Sequence, residues 1–190
     1  MPIIQLRPVR KAGQPMYRTQ HGTLITAAQV QQRVAALQAM AMLDTPPEEG
    51  FDALTRLAAS VFDAPIALVS LIDGARLWFK ASYGLEASEC DSRHSFCSEA
   101  ADSQSVLEVE SARLDPRFAD NSLVTGALAI QYYAGAPILH RGIAIGTVCV
   151  LDYTPRKASV QSLYALQEMA NIATVMMTAR IDAFRMFSST

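Results

Sequence analysis

No stretch of this 190-residue chain approaches the roughly 18 consecutive apolar residues that a membrane-spanning helix requires. Nor does Met1-Pro2 open onto the run of about 7–15 apolar residues of a secretory leader, so a cytoplasmic protein is expected. Cysteine is scarce, with three in all (Cys90, Cys97 and Cys149), an odd number without a Cys-x-x-Cys pair. That argues against a disulfide framework and against structural zinc. His21, His94 and His140 lie far apart, and no second ligand stands at coordinating spacing from His94, so no metal is expected. Acidic residues are missing from positions 1–29, where Arg7, Arg10, Lys11 and Arg18 stand among Pro2, Pro8, Gly13, Pro15 and Gly22. Residues 1–25 therefore read as a mobile basic arm, either a loose terminus or a grip on an acidic partner. Excess positive charge is absent too: the net charge is −2, which gives no general attraction to phosphate backbones and predicts neither a nucleic-acid nor a membrane partner.

What the chain does have is apolar residues, 51% of the total, enough to bury one substantial core, and residues 26–187 read as a single domain with a frayed tail at 188–190. Thr26-Ala-Ala-Gln29 has the form of a capping box. It predicts a helix with Val30, Val34, Leu37 and Ala41 along one side, stopped at Asp44-Thr-Pro-Pro47. A second helix follows, with Thr45 as its cap and Phe51, Leu54, Leu57, Ala58 and Val61 on its apolar face. Residues 66–72 are apolar on both alternating faces except at Ser70, which predicts a central strand covered on both sides. Asp73-Gly74 is expected to turn it back into an antiparallel strand over 76–83.

A short strand at 105–110, a short helix at 115–118 and a loop over 121–129 come next. A hairpin then turns at Arg141-Gly142, with Gly146 expected opposite Ala134 and Ala136, where small residues serve either close backbone approach or ligand space beside the sheet. From 159 to 186 the period is helical. Leu163, Leu166, Ala170, Ala173, Met177, Arg180 and Phe184 fall on a heptad seam that predicts a homodimer through the terminal helices.

Between the two hairpins lies Ser92-Arg-His-Ser-Phe-Cys-Ser-Glu-Ala-Ala101, a polar, cationic and thiol-bearing stretch framed by strands. With Ser95 as N-cap, Phe96 opens a helix whose free N–H groups, together with Arg93 and His94, suit an anionic or polar aromatic ligand. Arg93 has a plainer role in pairing with Asp91 or Asp115. Cys97, in the first turn, is placed either as an activated thiol or as a small hydrophobe under the sheet, and the latter is favoured. Cys149 reads as core, and Cys90, in a polar loop, reads as the exposed thiol. The candidate ligand-binding residues are Arg93, His94, Ser95, Phe96, Cys97, Phe118, Tyr133 and Thr147, with no catalytic residue and no cofactor specified.

Leu43-Asp-Thr, Phe51-Asp52, Pro65-Ile-Ala-Leu-Val-Ser-Leu-Ile-Asp73, Trp78-Phe-Lys80, Ser95-Phe-Cys97, Asp115-Pro-Arg-Phe-Ala-Asp-Asn121, Tyr133-Ala-Gly-Ala-Pro137 and Ile145-Gly-Thr-Val-Cys-Val-Leu-Asp152 together resemble the bacterial GAF domain family. The resemblance implies an α+β fold: a central antiparallel sheet of five or six strands, N- and C-terminal helices on one face and a ligand pocket on the other. It also implies a non-catalytic sensory module that binds a small molecule and signals through its terminal helices to a kinase or a cyclic-dinucleotide enzyme. With no output domain in the sequence, a stand-alone sensor is the expectation. Three other readings come with the family: a cysteine-dependent free methionine sulfoxide reductase, a bilin-type photoreceptor and a ligand-free dimerisation scaffold. Members often carry a histidine where this chain has Glu99, which weighs against the photoreceptor.

Overall fold

The computed structural model describes the backbone of residues 8–11, 14–18, 24–92 and 95–188, and side chains of 26–92 and 95–180. Three short strands come first: β1 (Pro8–Lys11), β2 (Gln14–Arg18) and β3 (Leu24–Thr26), paired antiparallel in that order. Sequence reasoning took this segment as an arm without regular structure because it lacks an apolar face. Strand pairing satisfies backbone N–H and C=O groups without needing one.

The capping box forms as expected: Gln29 N–H donates to Thr26 Oγ1 at 3.1 Å and Thr26 N–H to Gln29 Oε1 at 2.8 Å, opening α1 (Ala27–Met40). Thr45 does not cap the next helix, since α2 (Glu49–Phe62) begins four residues later with Glu48 at its cap position. The Thr45 hydroxyl instead donates to the Met42 carbonyl and accepts from Lys80 Nζ, each at 2.7–2.8 Å. Lys80, whose side chain is fully enclosed, also donates to the Pro46 carbonyl at 2.7 Å and reaches Glu48 Oε1 at 2.6 Å, pinning the α1–α2 connection onto the sheet.

The main sheet holds β4 (Ile66–Asp73), β5 (Arg76–Tyr83), β6 (Glu89–Asp91), β7 (Leu107–Val109), β8 (Tyr132–His140) and β9 (Ile143–Asp152). All neighbours are antiparallel, in the order β6-β5-β4-β9-β8-β7, so the two-sided apolar run of β4 lies at the centre as its pattern requires. Asp73 pairs with Arg76, which makes Gly74-Ala75 the turn rather than Asp73-Gly74. Between β6 and β7 lies α3 (Phe96–Ser103). Residues 115–118 form a turn in place of the expected helix, and α4 (Ser122–Thr125), capped by Asn121, occupies the expected loop. The chain closes with α5 (Val160–Ser188).

Strand alternation divides the interior in two. Ala67, Val69, Leu71, Ala134, Ala136, Val148 and Val150 face a core built by Leu37 of α1, Phe51 and Ala58 of α2, and Leu166, Ala170, Ala173 and Met177 of α5. Ile66, Leu68, Ile72, Tyr133, Cys149 and Leu151 face the opposite core, closed by Phe96, Cys97, Ala100 and Ala101 of α3 with Phe118 and Val124. This is the α+β arrangement expected, with terminal helices on one face. The heptad seam is a different matter: its central members are consumed by this chain's own sheet, with Leu166, Ala170, Ala173 and Met177 all at 0% exposure. Period alone cannot separate a helix packed on a sheet from one packed on another helix.

The small residues also face the other way from the expectation. Gly146 pairs with Ile138 and Leu71, and Ala134 and Ala136 lie under the terminal helices. A Cβ at Gly146 would meet the Ser70 carbonyl oxygen at 1.9 Å, so the glycine serves close approach of β4 and β9 rather than ligand space. Gly146→Ala is expected to cost about 3 kcal/mol, read by urea unfolding, because the obstructing atom is backbone and cannot swing aside. A loss under about 0.5 kcal/mol, the scale of a neutral surface change, would contradict that close approach.

Candidate functional site

Ser95 caps α3 as predicted: its Oγ accepts from Ser98 N–H at 3.1 Å, which places Phe96 and Cys97 as the first two helical residues. Arg93 and His94 lie outside the described residues. Asp115, one of the two carboxylates considered for Arg93, is engaged by Arg117 Nη2 at 2.7 Å. The remaining candidates converge on one place. Phe96 stacks on Tyr133 with ring centroids 5.1 Å apart and lies 4.3 Å from Phe118, and all three rings are at most 1% exposed.

Beneath Phe96 the sheet is polar where its neighbours are not. Ser70 Oγ and Thr147 Oγ1 are 2.8 Å apart, joining β4 to β9, and Cys97 Sγ lies 3.6 Å from Cys149 Sγ. The Tyr133 hydroxyl is fully buried without a hydrogen-bond partner, and it fills the space that a Cβ at Gly135 would occupy, 2.0 Å away. Donation from Cys149, then from Thr147 and Ser70, draws the Cys97 thiol down against the contrary pull of burial. The hydrogen bond to Cys97, followed by burial, pushes the Cys149 thiol well up. Burial, followed by the charge of Cys97, pushes Cys90 up to about 12.

Cys90 is not the exposed loop thiol expected. It sits in β6, opposite Leu77, half-buried. The strand was hidden because three residues bounded by polar neighbours carry no alternation to read.

A cavity of about 90 Å³ opens between β4, β5 and β9 on one side and α3, α4 on the other. Ile66, Leu68, Phe79, Phe96, Ile130 and Leu151 give it apolar walls, with Ser95, Cys90 and Cys97 the polar members. Tyr133 and Thr147 stand behind it, separated from it by Cys97 and Phe96. A shallower groove of about 470 Å³ runs along β5 past Asp52, Arg56, Lys80 and Glu86, and a hollow of about 120 Å³ lies beside Arg33 and Asp102. The hollow is mainly polar and is bounded on one side by Ala101 and Asp102 at the end of α3, whereas the groove mixes polar and apolar walls and has no residue of α3 among them.

Sequence reasoning missed the partnership of Cys97 with Cys149, 52 residues apart. It also missed Arg33 of α1, which donates through Nη2 to Asp102 Oδ1 at 2.7 Å and through Nε to the Ala144 carbonyl at 2.6 Å. Ser70, the polar interruption in the apolar run of β4, marked the sequence where the hydroxyl cluster lies, as did the candidates Tyr133 and Thr147.

Comparison with known proteins agrees with this architecture. A family model for the GAF domain matches residues 46–176. A cyclic di-GMP phosphodiesterase from Pseudomonas aeruginosa is 39% identical over 157 residues, covering 79% of this chain and 27% of the relative. The chain thus spans about a quarter of that protein's length. Among solved structures, the GAF domain of an Acinetobacter phosphoenolpyruvate-protein phosphotransferase aligns with a TM-score of 0.58 at 15% identity, over 82% of this chain and 95% of that one. The free methionine-R-sulfoxide reductase of Neisseria meningitidis aligns at 0.56 and 14% identity, over 85% and 95%. At such identities the likeness is one of fold. The family match covers more than half of the sequence and its fold is the one observed, so this chain belongs to the GAF domain family.

Proposed function

We propose that this chain is a non-catalytic sensory module that takes a small, mainly apolar or aromatic molecule between α3 and the sheet and passes its occupancy to a cyclic-dinucleotide enzyme. The observation that carries the reading is the apolar cavity under α3, on the sheet face turned away from the terminal helices. Small-molecule sites are typically concave and apolar with few polar groups, and Ser95, Cys90 and Cys97 supply those here. Phe96 and Cys97 line the site, Phe118, Tyr133 and Thr147 back it, and Arg93 and His94 adjoin it in sequence. The choice of output rests on the relative from Pseudomonas aeruginosa, whose name gives a cyclic di-GMP phosphodiesterase.

Two structural features support the relay. The Arg33–Asp102 pair joins α3 to α1, and Arg180 of α5 pairs with Glu48 on the α1–α2 connection. Dimerisation belongs to the same reading, through the face of α5 that carries Val160, Tyr164, Ile172 and Val175, 48–78% exposed. Among the described residues no helix is long and apolar enough to cross a membrane.

A thermal-shift screen of small aromatic and heterocyclic compounds, followed by calorimetry, tests the site. Leu123→Trp, at a half-buried position on the cavity wall, is expected to weaken any hit about tenfold or more by filling the space, a loss of about 1.4 kcal/mol. A hit that binds this variant and the unmodified protein alike would place the site elsewhere. A screen without hits would favour the scaffold reading.

A further inference from the structure

We propose that Cys97 and Cys149 form a peroxide-reactive dithiol site, in which a small hydroperoxide entering the apolar cavity oxidises the pair to a disulfide that ties the start of α3 to β9. The inference rests on the cavity of the preceding subsection as the route for the oxidant; the chemistry belongs to the thiols.

Three observations carry it. The sulfur atoms are 3.6 Å apart, so a bond of about 2.05 Å needs an approach of roughly 1.5 Å, within reach of a rotamer change and a small shift at the end of a short helix. Cys97 is the second residue of α3, where unpaired N–H groups and the helix dipole favour the thiolate. The surroundings are also wrong for cysteines that merely fill space. Ser70, Tyr133 and Thr147 bring three hydroxyls against the pair in a core otherwise built from Ile, Leu, Val, Phe and Ala. Phenylalanine at position 133 would pack the same ring without stranding a hydroxyl. A tyrosine there keeps a donor free for an anionic sulfur or for the oxygen that sulfur acquires.

The reaction balances without a further reactant. The Cys97 thiolate attacks the outer oxygen of the hydroperoxide; the S–O bond forms, the O–O bond breaks, and the departing alkoxide takes the proton that Cys97 released, leaving as an alcohol. Sulfur has lost two electrons and the peroxide has gained them, giving a sulfenic acid at Cys97. Cys149 sulfur then displaces that oxygen: the S–S bond forms, the S–O bond breaks, and the leaving hydroxide takes the Cys149 proton as water. Two thiols and one hydroperoxide become one disulfide, one alcohol and one water.

The test is differential alkylation and peptide mapping of the full chain after brief exposure to cumene hydroperoxide or to hydrogen peroxide. A Cys97–Cys149 cross-linked peptide, lost again on treatment with dithiothreitol, is the expected product. Cys97 should be consumed about tenfold faster than Cys90 in the unmodified protein. In Cys149→Ala, which keeps the cavity lining intact, oxidation should stop at a sulfenic acid captured by dimedone. A Cys90–Cys97 cross-link, or oxidation at Cys90 ahead of Cys97, would overturn the proposal, as would two thiols left intact in protein shown by its melting curve to be folded. Ligand binding measured on Cys149→Ala does not depend on disulfide formation, so the loss of one reading leaves the other standing.

Discussion

Met177→Glu is expected to unfold the domain rather than separate two subunits. The side chain is wholly enclosed, packed with Leu166, Ala170 and Ala173 against the strands of the main sheet. A carboxylate placed there must stay charged in an apolar medium or bind a proton, and either course costs about 4–5 kcal/mol in addition to the lost contacts. That is comparable with the whole stability of many domains of this size. Circular dichroism should show a melting temperature depressed by tens of degrees, or no cooperative transition. Tyr164→Glu, on the exposed face of the same helix, should leave the melting curve nearly unchanged and act only on self-association. A folded, monomeric Met177→Glu protein with the original melting temperature would mean that the helix does not pack on its own sheet.

Arg33→Ala is expected to cost about 3–5 kcal/mol, the range found when one partner of a buried ion pair is removed. The side chains of Arg33 and Asp102 are 9% and 3% exposed, so water cannot replace the lost guanidinium, and the Ala144 carbonyl loses its donor as well. The pH dependence gives a second signature. Burial, partly opposed by Arg33, already raises the Asp102 carboxyl above its ordinary value of 3.8. Removing Arg33 lifts it further. A carboxyl whose folded pKa exceeds its unfolded one binds more protons when folded, so stability falls as pH rises from the unfolded value through the folded one. Arg33→Ala should therefore lose stability more steeply than the unmodified protein as the pH is raised from about 4 towards neutrality. Arg33→Met with Asp102→Leu should recover most of the loss, since no charge is then left buried. Denaturant midpoints measured across that pH range check both points. An unchanged midpoint in Arg33→Ala at neutral pH would show that the pair contributes nothing.

The main sheet and its flanking helices were legible because they depend on local pattern. The apolar run of β4, broken only by Ser70, placed it at the centre, and Thr26 with Gln29 marked the start of α1 to the residue. Short elements were not: β6 and α4 are three and four residues long and owe their form to the strand and turn beside them. The site was legible in its first half only. Ser95, Phe96 and Cys97 sit on a recognisable helix start, and Tyr133 and Thr147 were chosen with them. What these side chains touch depends on register, and register sets Cys149 opposite Gly135 and Leu68 in the sheet and under Cys97 of α3. No spacing rule reports a contact across 52 residues. The α5 seam failed for the opposite reason, since its pattern was plain but fitted two partners equally well.

The sheet's division of the interior also bears on how such a domain can change over generations. Apolar substitutions around α3 alter a hydrophobic cluster separate from the one under α1, α2 and α5. Effects at separated sites of this kind are nearly additive. The face covered by α3 can thus drift towards new chemistry while the face that carries the terminal helices stays fixed. The Arg33–Asp102 pair crosses that boundary, and neither of its members can be replaced without the other. Such a chain is freest to change where the sheet separates the two faces, and constrained at an ion pair that joins them.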